Sequence, residues 1–259
     1  MIDIDFAKKY LRYYINAKTQ HGIHSPFIFK LVDEVIYDKS EYPVYARIER
    51  KRKSLLNNKT KITLHEMGGH KHGKYQTRIC DVVRSSAKQK KYCTLLYRLV
   101  REFKPKVMIE MGTSFGVSTM YQAAANPENT LITLEGNSLV ATIANEYFKE
   151  AKITNIRIKQ GNFDDTFPLI LSEVDKIDWL FIDGNHRIEP TLRYFEMALP
   201  KMHDATVFVI DDINWSEGMK EAWEKIKAHP QVTPTIDLFM MGIVFFRKDL
   251  SKEHFSIRY

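Results

Sequence analysis

The stretch VMIEMGTSFGVSTM, residues 107–120, decides the fold. An apolar run ends in a glutamate and two glycines, spaced E-x-G-x-x-x-G, and passes straight into a helix-like segment. Gly112 and Gly116 call for a tight turn or for a close approach to the backbone. A ligand is one thing that approaches closely, and a helix packed on the strand is another. The local pattern leaves both open, so the rest of the chain has to choose.

Outward from this stretch, apolar runs and helical patterns alternate. The strand candidates are KVMIEMG (106–112), TLITLEG (130–136), NIRIKQG (155–161), IDWLFIDG (177–184) and ATVFVIDDI (205–213). Helices are predicted to begin near Gly116, Ser138, Asp164, Glu189 and Ser216. This spacing predicts a parallel sheet with helices on both faces. VTPTIDLF and GIVFFRK, near the end, are only a few residues apart. That is too short for a parallel crossover, so an antiparallel hairpin is expected. The predicted class is α/β, with a Rossmann-like, seven-stranded, mostly parallel sheet, an antiparallel terminal hairpin and an N-terminal helical region.

That N-terminal region has its own texture. Phe6, Tyr10, Tyr13, Tyr14 and Ala17 recur at helical spacing. Ser25 suits an N-cap and Pro26 a first helical position, ahead of an apolar stripe through Phe27, Leu31 and Val35 with the neighbouring Ile28, Val32 and Ile36. ARIERKRKSLL reads as a basic surface helix. HEMGGHKHGK, residues 65–74, reads as a loop, with His65, Glu66, His70 and His72 as weak zinc-ligand candidates. Helix KYCTLLYRLVREF should stop before Pro105.

Of 259 residues, 44% are apolar, enough for a sizeable core. No run of about 18 apolar residues suggests a membrane span. The first residues lack a secretory layout, and there are only two cysteines, Cys80 and Cys93. A cytoplasmic location is expected. The net charge of +7 is uneven: residues 1–92 carry 20 Lys/Arg against 9 Asp/Glu, while the remainder carries 19 against 23. A basic first third can attract anions, phosphate included, or can be an ordinary solvated surface.

Every strand candidate ends on a polar residue: Glu110, Glu135, Asn162, Asp183, then Asp211 and Asp212. Ligands of open parallel sheets bind at the carboxyl ends of strands. The G-x-G-x-x-G fingerprint and the P-loop pattern are both absent. Glu135 can accept two hydrogen bonds from a ribose. Glu110 would repel a pyrophosphate and tolerate a cationic centre.

From about residue 90 to 248 the chain resembles the class I S-adenosylmethionine-dependent methyltransferases. VMIEMGTSFGVS is similar to their first motif, LITLEGN to the ribose-holding segment and IKQGNFDD to the segment beside adenine. IDWLFIDGNH and VFVIDDINW resemble the fourth and fifth strand ends. Within the class the likeness is to O-methyltransferases of the catechol and caffeoyl-CoA type and to a broad methyltransferase family represented in bacteria. The resemblance implies that Gly112, Thr113, Ser114 and Gly116 approach the methionine part of the cofactor, with Glu110 near its ammonium. Glu135 and Gly136 would hold the ribose. Asn162, Phe163 and Asp164 would flank the adenine, and Asp183, Asp211 and Asp212 would face the methyl group.

Two carboxylates about 4 Å apart repel by roughly 4 kcal/mol at an effective dielectric near 20. A proton, an arginine, or a divalent cation such as Mg2+ on Asp183, Asp211 and Asp212 would offset this. The catechol-type pattern has asparagine at the third position, where this chain has Asp212. His186 stands three residues past Asp183, an offset at which that pattern carries a basic lysine, so His186 and Asp183 are the catalytic candidates, with His186 as general base or as a histidine that hydrogen-bonds within its loop. Trp215 and Phe163 are candidates to wall the pocket. The expectation is methyl transfer to an oxygen of a small-molecule acceptor, which can be anionic. Residues 1–89 would form a substrate-selecting cap and residues 90–259 the methyltransferase domain. RNA or a phosphorylated substrate is the alternative acceptor, and a non-catalytic cofactor-binding protein the alternative role.

Overall fold

The computed structural model describes residues 4–65 and 73–259. Contacts group the chain into two compact units: residues 1–38 with 176–259, and residues 39–175.

The first unit opens with α1 (Ile4–Asn16) and α2 (Pro26–Leu31). Ser25 caps α2 by accepting a hydrogen bond from Ile28 N, and Pro26 occupies the first turn, as its fixed φ favours. Ile28, Leu31, Val32, Val35 and Ile36 are all buried, while Phe27 is half-buried. By contrast α1 buries no residue completely, and its aromatic side touches Phe239 through Phe6, Tyr10 and Tyr13.

The second unit contains α3 (Pro43–Asn57), the antiparallel pair β1 (Lys61–His65) and β2 (Lys74–Arg78), α4 (Ile79–Ser86), and α5 (Lys90–Phe103). It continues through β3 (Met108–Met111), α6 (Val117–Ala125), β4 (Leu131–Glu135), α7 (Ser138–Glu150), β5 (Ile156–Gln160) and α8 (Phe163–Glu173). Helix α5 ends one residue before Lys104, which takes a left-handed conformation ahead of Pro105. Strands β3, β4 and β5 are parallel, and α6, α7 and α8 pack on β4. All four residues of β3 are buried, as expected for a strand covered on both faces.

The chain then returns to the first unit with β6 (Ile177–Ile182), α9 (Ile188–Ala198), β7 (Met202–Asp211), α10 (Glu217–Ala228), β8 (Thr235–Asp237), β9 (Met241–Phe245) and β10 (His254–Ser256). Strands β6 and β7 are parallel, and β9 is antiparallel to both β7 and β8. Within the first unit the strand order is β10-β8-β9-β7-β6, and within the second it is β3-β4-β5.

Thus the alternation and the antiparallel hairpin are present as the sequence implies, with two corrections. The sheet has eight strands, not seven. The extra one, β10, is three residues long with only Phe255 buried, which is too short to show a period. The first third is not purely helical, since it holds the β1–β2 hairpin. The predicted loop at 65–74 lies mostly outside the described residues, and so do Glu66, His70 and His72 and the side chain of His65.

Part of the basic surface is paired with nearby carboxylates. Lys51 bonds Glu150, Lys90 bonds Glu41 at 3.3 Å, and Arg78 and Arg84 share Asp81. Arg52 is half-buried, donating to Glu49 at 3.0 Å and to the Lys88 carbonyl. Cys80 and Cys93 are both buried and unlinked. No helix among the described residues is long and apolar enough to cross a membrane.

Candidate functional site

In the second unit, the turn after β3 is built on positive backbone angles: φ is 108° at Gly112, 48° at Ser114 and 76° at Gly116. Such angles suit glycine and are costly elsewhere. Gly116 carries a second constraint. A Cβ there would lie 2.1 Å and 2.4 Å from ring carbons of Phe148 on α7. For this glycine the close neighbour is a packed helix.

Glu110 is fully buried. Its Oε1 accepts from Ser118 Oγ at 2.9 Å and Gln122 Nε2 at 2.6 Å. Its Oε2 accepts from Thr119 Oγ1 at 2.5 Å and Thr133 Oγ1 at 2.7 Å. These four donors meet the need of a buried carboxylate and tie β3 to α6 and β4. Thr113 belongs to the same network, 2.7 Å from Thr133 Oγ1 and 3.1 Å from the Leu134 carbonyl. Sequence reading missed Ser118, Thr119 and Gln122. Their signal is three polar residues, spaced i, i+1 and i+4, on one side of an otherwise apolar helix.

Glu135 ends β4 and is only partly covered. Ser114 N donates to Oε2 at 2.8 Å and Asn137 N to Oε1 at 2.9 Å. Each oxygen keeps acceptor capacity beyond these bonds. Burial pushes this carboxyl above its ordinary range, while the amides of Asn137, Ser114 and Gly136 pull it back part of the way. Ser114 Oγ is 3.0 Å from Ser86 Oγ. After β5, Gly161 has φ 136°, Asn162 caps α8 by accepting from Asp164 N at 3.1 Å, and Phe163 is half-buried. Asn162 and Asp164 are exposed.

In the first unit, the ends of β6 and β7 bring Asp183 and Asp211 together with His186. One ligating atom from each lies within 4.8 Å of the others. Asp211 is fully buried, while Asp183 and His186 are partly exposed. His186 Nε2 is 3.8 Å from Asp183, and its Nδ1 is 3.7 Å from Asp212. Asp212 has φ 56° and stands outside the three-residue group, beside the histidine. The cap of α10 is Ser216, which accepts from Met219 N at 3.1 Å. Trp215 is 62% exposed and meets Phe6 edge-on, whereas Trp179 is buried in β6.

Two carboxylates and an imidazole form a donor set suited to a divalent transition ion such as Mn2+ or Zn2+. An all-oxygen set would suit Mg2+ better. The sequence places Asp212 in the first coordination set, whereas the fold puts His186 among the candidate ligands.

Residues 109–213 match the family described as "Methyltransferase domain". A catechol O-methyltransferase of Niastella koreensis is 33% identical over 131 residues. That similarity spans 49% of this chain and 57% of the relative, a little over half its length. Among solved structures, an SAH-bound Podospora anserina methyltransferase superposes with a TM-score of 0.61 at 11% identity, covering 87% of this chain and 98% of the other. An O-methyltransferase of Bacillus cereus in complex with SAH gives 0.55 at 19% identity, covering 83% and 96%. At these identities the structures speak for the fold. Residues 109–213 therefore resemble a methyltransferase domain, within a chain that shares its fold with the solved methyltransferases above.

Proposed function

We propose that this chain transfers a methyl group from S-adenosylmethionine to an oxygen of a small-molecule acceptor. The observation that carries this reading is Glu135: a carboxylate fixed by two backbone amides at a strand end, with acceptor capacity left for the two ribose hydroxyls. The Gly112–Gly116 turn supplies backbone next to it, with Thr113 and Ser114 holding the turn's shape. Asn162, Phe163 and Asp164 offer an exposed edge and a half-buried ring for an adenine. Glu110 acts through the turn it anchors.

We assign a divalent ion to Asp183, His186 and Asp211. Asp212 faces the other ring nitrogen and orients the imidazole, as carboxylates behind ligating histidines do. When bound, such an ion lowers the pKa of an acceptor hydroxyl and holds its oxygen for in-line attack. Without an ion, His186 itself is placed to take the hydroxyl proton. Local pairing of Lys51, Arg78, Arg84 and Lys90 leaves less free positive charge in the first third than the composition suggests, which favours a small acceptor over RNA.

Calorimetry with S-adenosylhomocysteine, with and without Mn2+, tests the assignment. Glu135→Ala should weaken cofactor binding by about tenfold to a hundredfold, the loss of one or two charge-assisted hydrogen bonds. Asp211→Ala and His186→Ala should keep cofactor affinity and lose Mn2+ binding. If His186→Ala binds Mn2+ like the native chain yet loses turnover, the histidine is a base and not a ligand. Unchanged affinity in Glu135→Ala would remove the ribose assignment.

A further inference from the structure

A groove of about 320 Å3 lies in the second unit, lined by Tyr42, Val44, Arg47, Tyr97, Lys152 and Asn155 among others. Asn155 directly precedes β5, and Pro127, also in the lining, precedes β4. The groove therefore sits at the amino edge of these parallel strands. Glu135 ends β4 at the carboxyl edge, on the order of 13 Å further along the strand. This is a place the methyl-transfer reading does not use.

Its chemistry has one sign. No acidic residue lines it. Arg47 is half-buried, and its Nε is fully covered with no hydrogen-bond partner. Among the described residues neither Arg47 nor Lys152 makes an ion pair. Arg47 lines the groove with no carboxylate among the described residues to pair with, so its charge is available to an anion bound there. Arg47 is in the second turn of α3, whose first turn starts at Pro43 with no side-chain cap, so the positive end of that helix adds to the field. A further guanidinium, Arg101, lies 4.5 Å from the ring centre of Tyr42. Tyr42 and Tyr97, with centroids 5.0 Å apart, supply an aromatic wall, and Pro43 and Pro127 add rigid apolar surface.

We propose that this groove is a second ligand site, binding a small molecule that carries an oxyanion on an aromatic ring. Arg47 holds the oxyanion in a forked contact, Lys152 adds charge at the rim, and Tyr42 and Tyr97 take the ring. The volume is at the low end of small-molecule sites, which fits a one-ring ligand.

Phenyl phosphate, benzoate and inorganic phosphate, titrated by calorimetry into the full-length chain, test the site. The two aromatic probes should bind more tightly than inorganic phosphate, and their order decides between phosphate and carboxylate. Arg47→Ala should weaken the better aromatic probe by about tenfold or more, Arg47→Lys by less, and Lys152→Ala by a few-fold. Tyr42→Ala should remove the advantage of aromatic probes over inorganic phosphate. Affinity for S-adenosylhomocysteine should stay native in all four variants, which checks folding. Equal binding of the aromatic probes to the native chain and Arg47→Ala, or no binding to the native chain at millimolar probe, would overturn the proposal.

Discussion

Gly116 shows how one residue can serve packing where a ligand was an equal expectation. Its missing side chain makes room for Phe148, and its φ of 76° disfavours any Cβ. Gly116→Ala should therefore cost about 2–4 kcal/mol in urea unfolding, combining overlap and backbone strain. Adding Phe148→Leu should relieve the overlap and leave roughly 1 kcal/mol of the backbone cost, apart from the lost ring. Glu135 is the opposite case: two backbone amides fix its carboxylate at a strand end and leave acceptor capacity on both oxygens. Burial raises the pKa of its carboxyl, and ribose hydroxyls donate more strongly to the ionised form. Affinity for S-adenosylhomocysteine should then be full above the raised pKa and fall as pH drops through it. The fall should begin at a higher pH than for a solvent-exposed glutamate. Glu135→Gln should flatten that dependence in a calorimetric pH series.

At the scale of elements, helix starts carry much of the organisation. Asn137, Asn162 and Ser216 each cap a helix that follows a strand end. Ser216→Ala should destabilise the chain by about 1 kcal/mol, through loss of the bond to Met219 N. Asp212→Asn should leave stability within about 0.5 kcal/mol of native, because asparagine tolerates a left-handed φ and the cap is elsewhere. A thermal-melting comparison of the two separates capping from a role beside His186. The polar strand ends at Glu135, Asp183 and Asp211 were legible because each interrupts an apolar run, and Asn162 because it follows the turn glycine Gly161. Strand β7 starts three residues earlier than its apolar run, since Met202 pairs with Ile177 and Thr206 Oγ1 donates to the Ile177 carbonyl. Tertiary pairing extended the strand into a polar sequence.

At the scale of the whole molecule, the two ends of the first unit are joined. Lys18 N donates to the Ser256 carbonyl at 2.8 Å, and Arg258 N returns a bond to Lys18 O at 3.0 Å. Tyr13 OH donates to the Ile257 carbonyl, and Tyr37 OH to that of Arg258 at 2.9 Å. Phe255 and Ile257 are buried. Removing residues 253–259 should cost about 3 kcal/mol or more, the burial of two large apolar side chains. Hydrogen exchange should then speed up at Lys18, while amides of β4 and β5 keep their protection. Equal exchange at Lys18 in the full and shortened chains would show that the tail does not hold this segment.

The sequence alone determined the alternating strands and helices, the antiparallel hairpin and the acidic strand ends, because periodicity and interruption are local properties of a chain. Only the tertiary structure decided that Gly116 yields to a phenylalanine 32 positions away, that Glu110 is closed inside a network, and that His186 joins Asp183 and Asp211. Those outcomes depend on which distant side chains meet, and no local pattern encodes that. The edge strand β10 and the groove around Arg47 escaped for the same reason: their few residues come from separated segments and acquire meaning only from their neighbours.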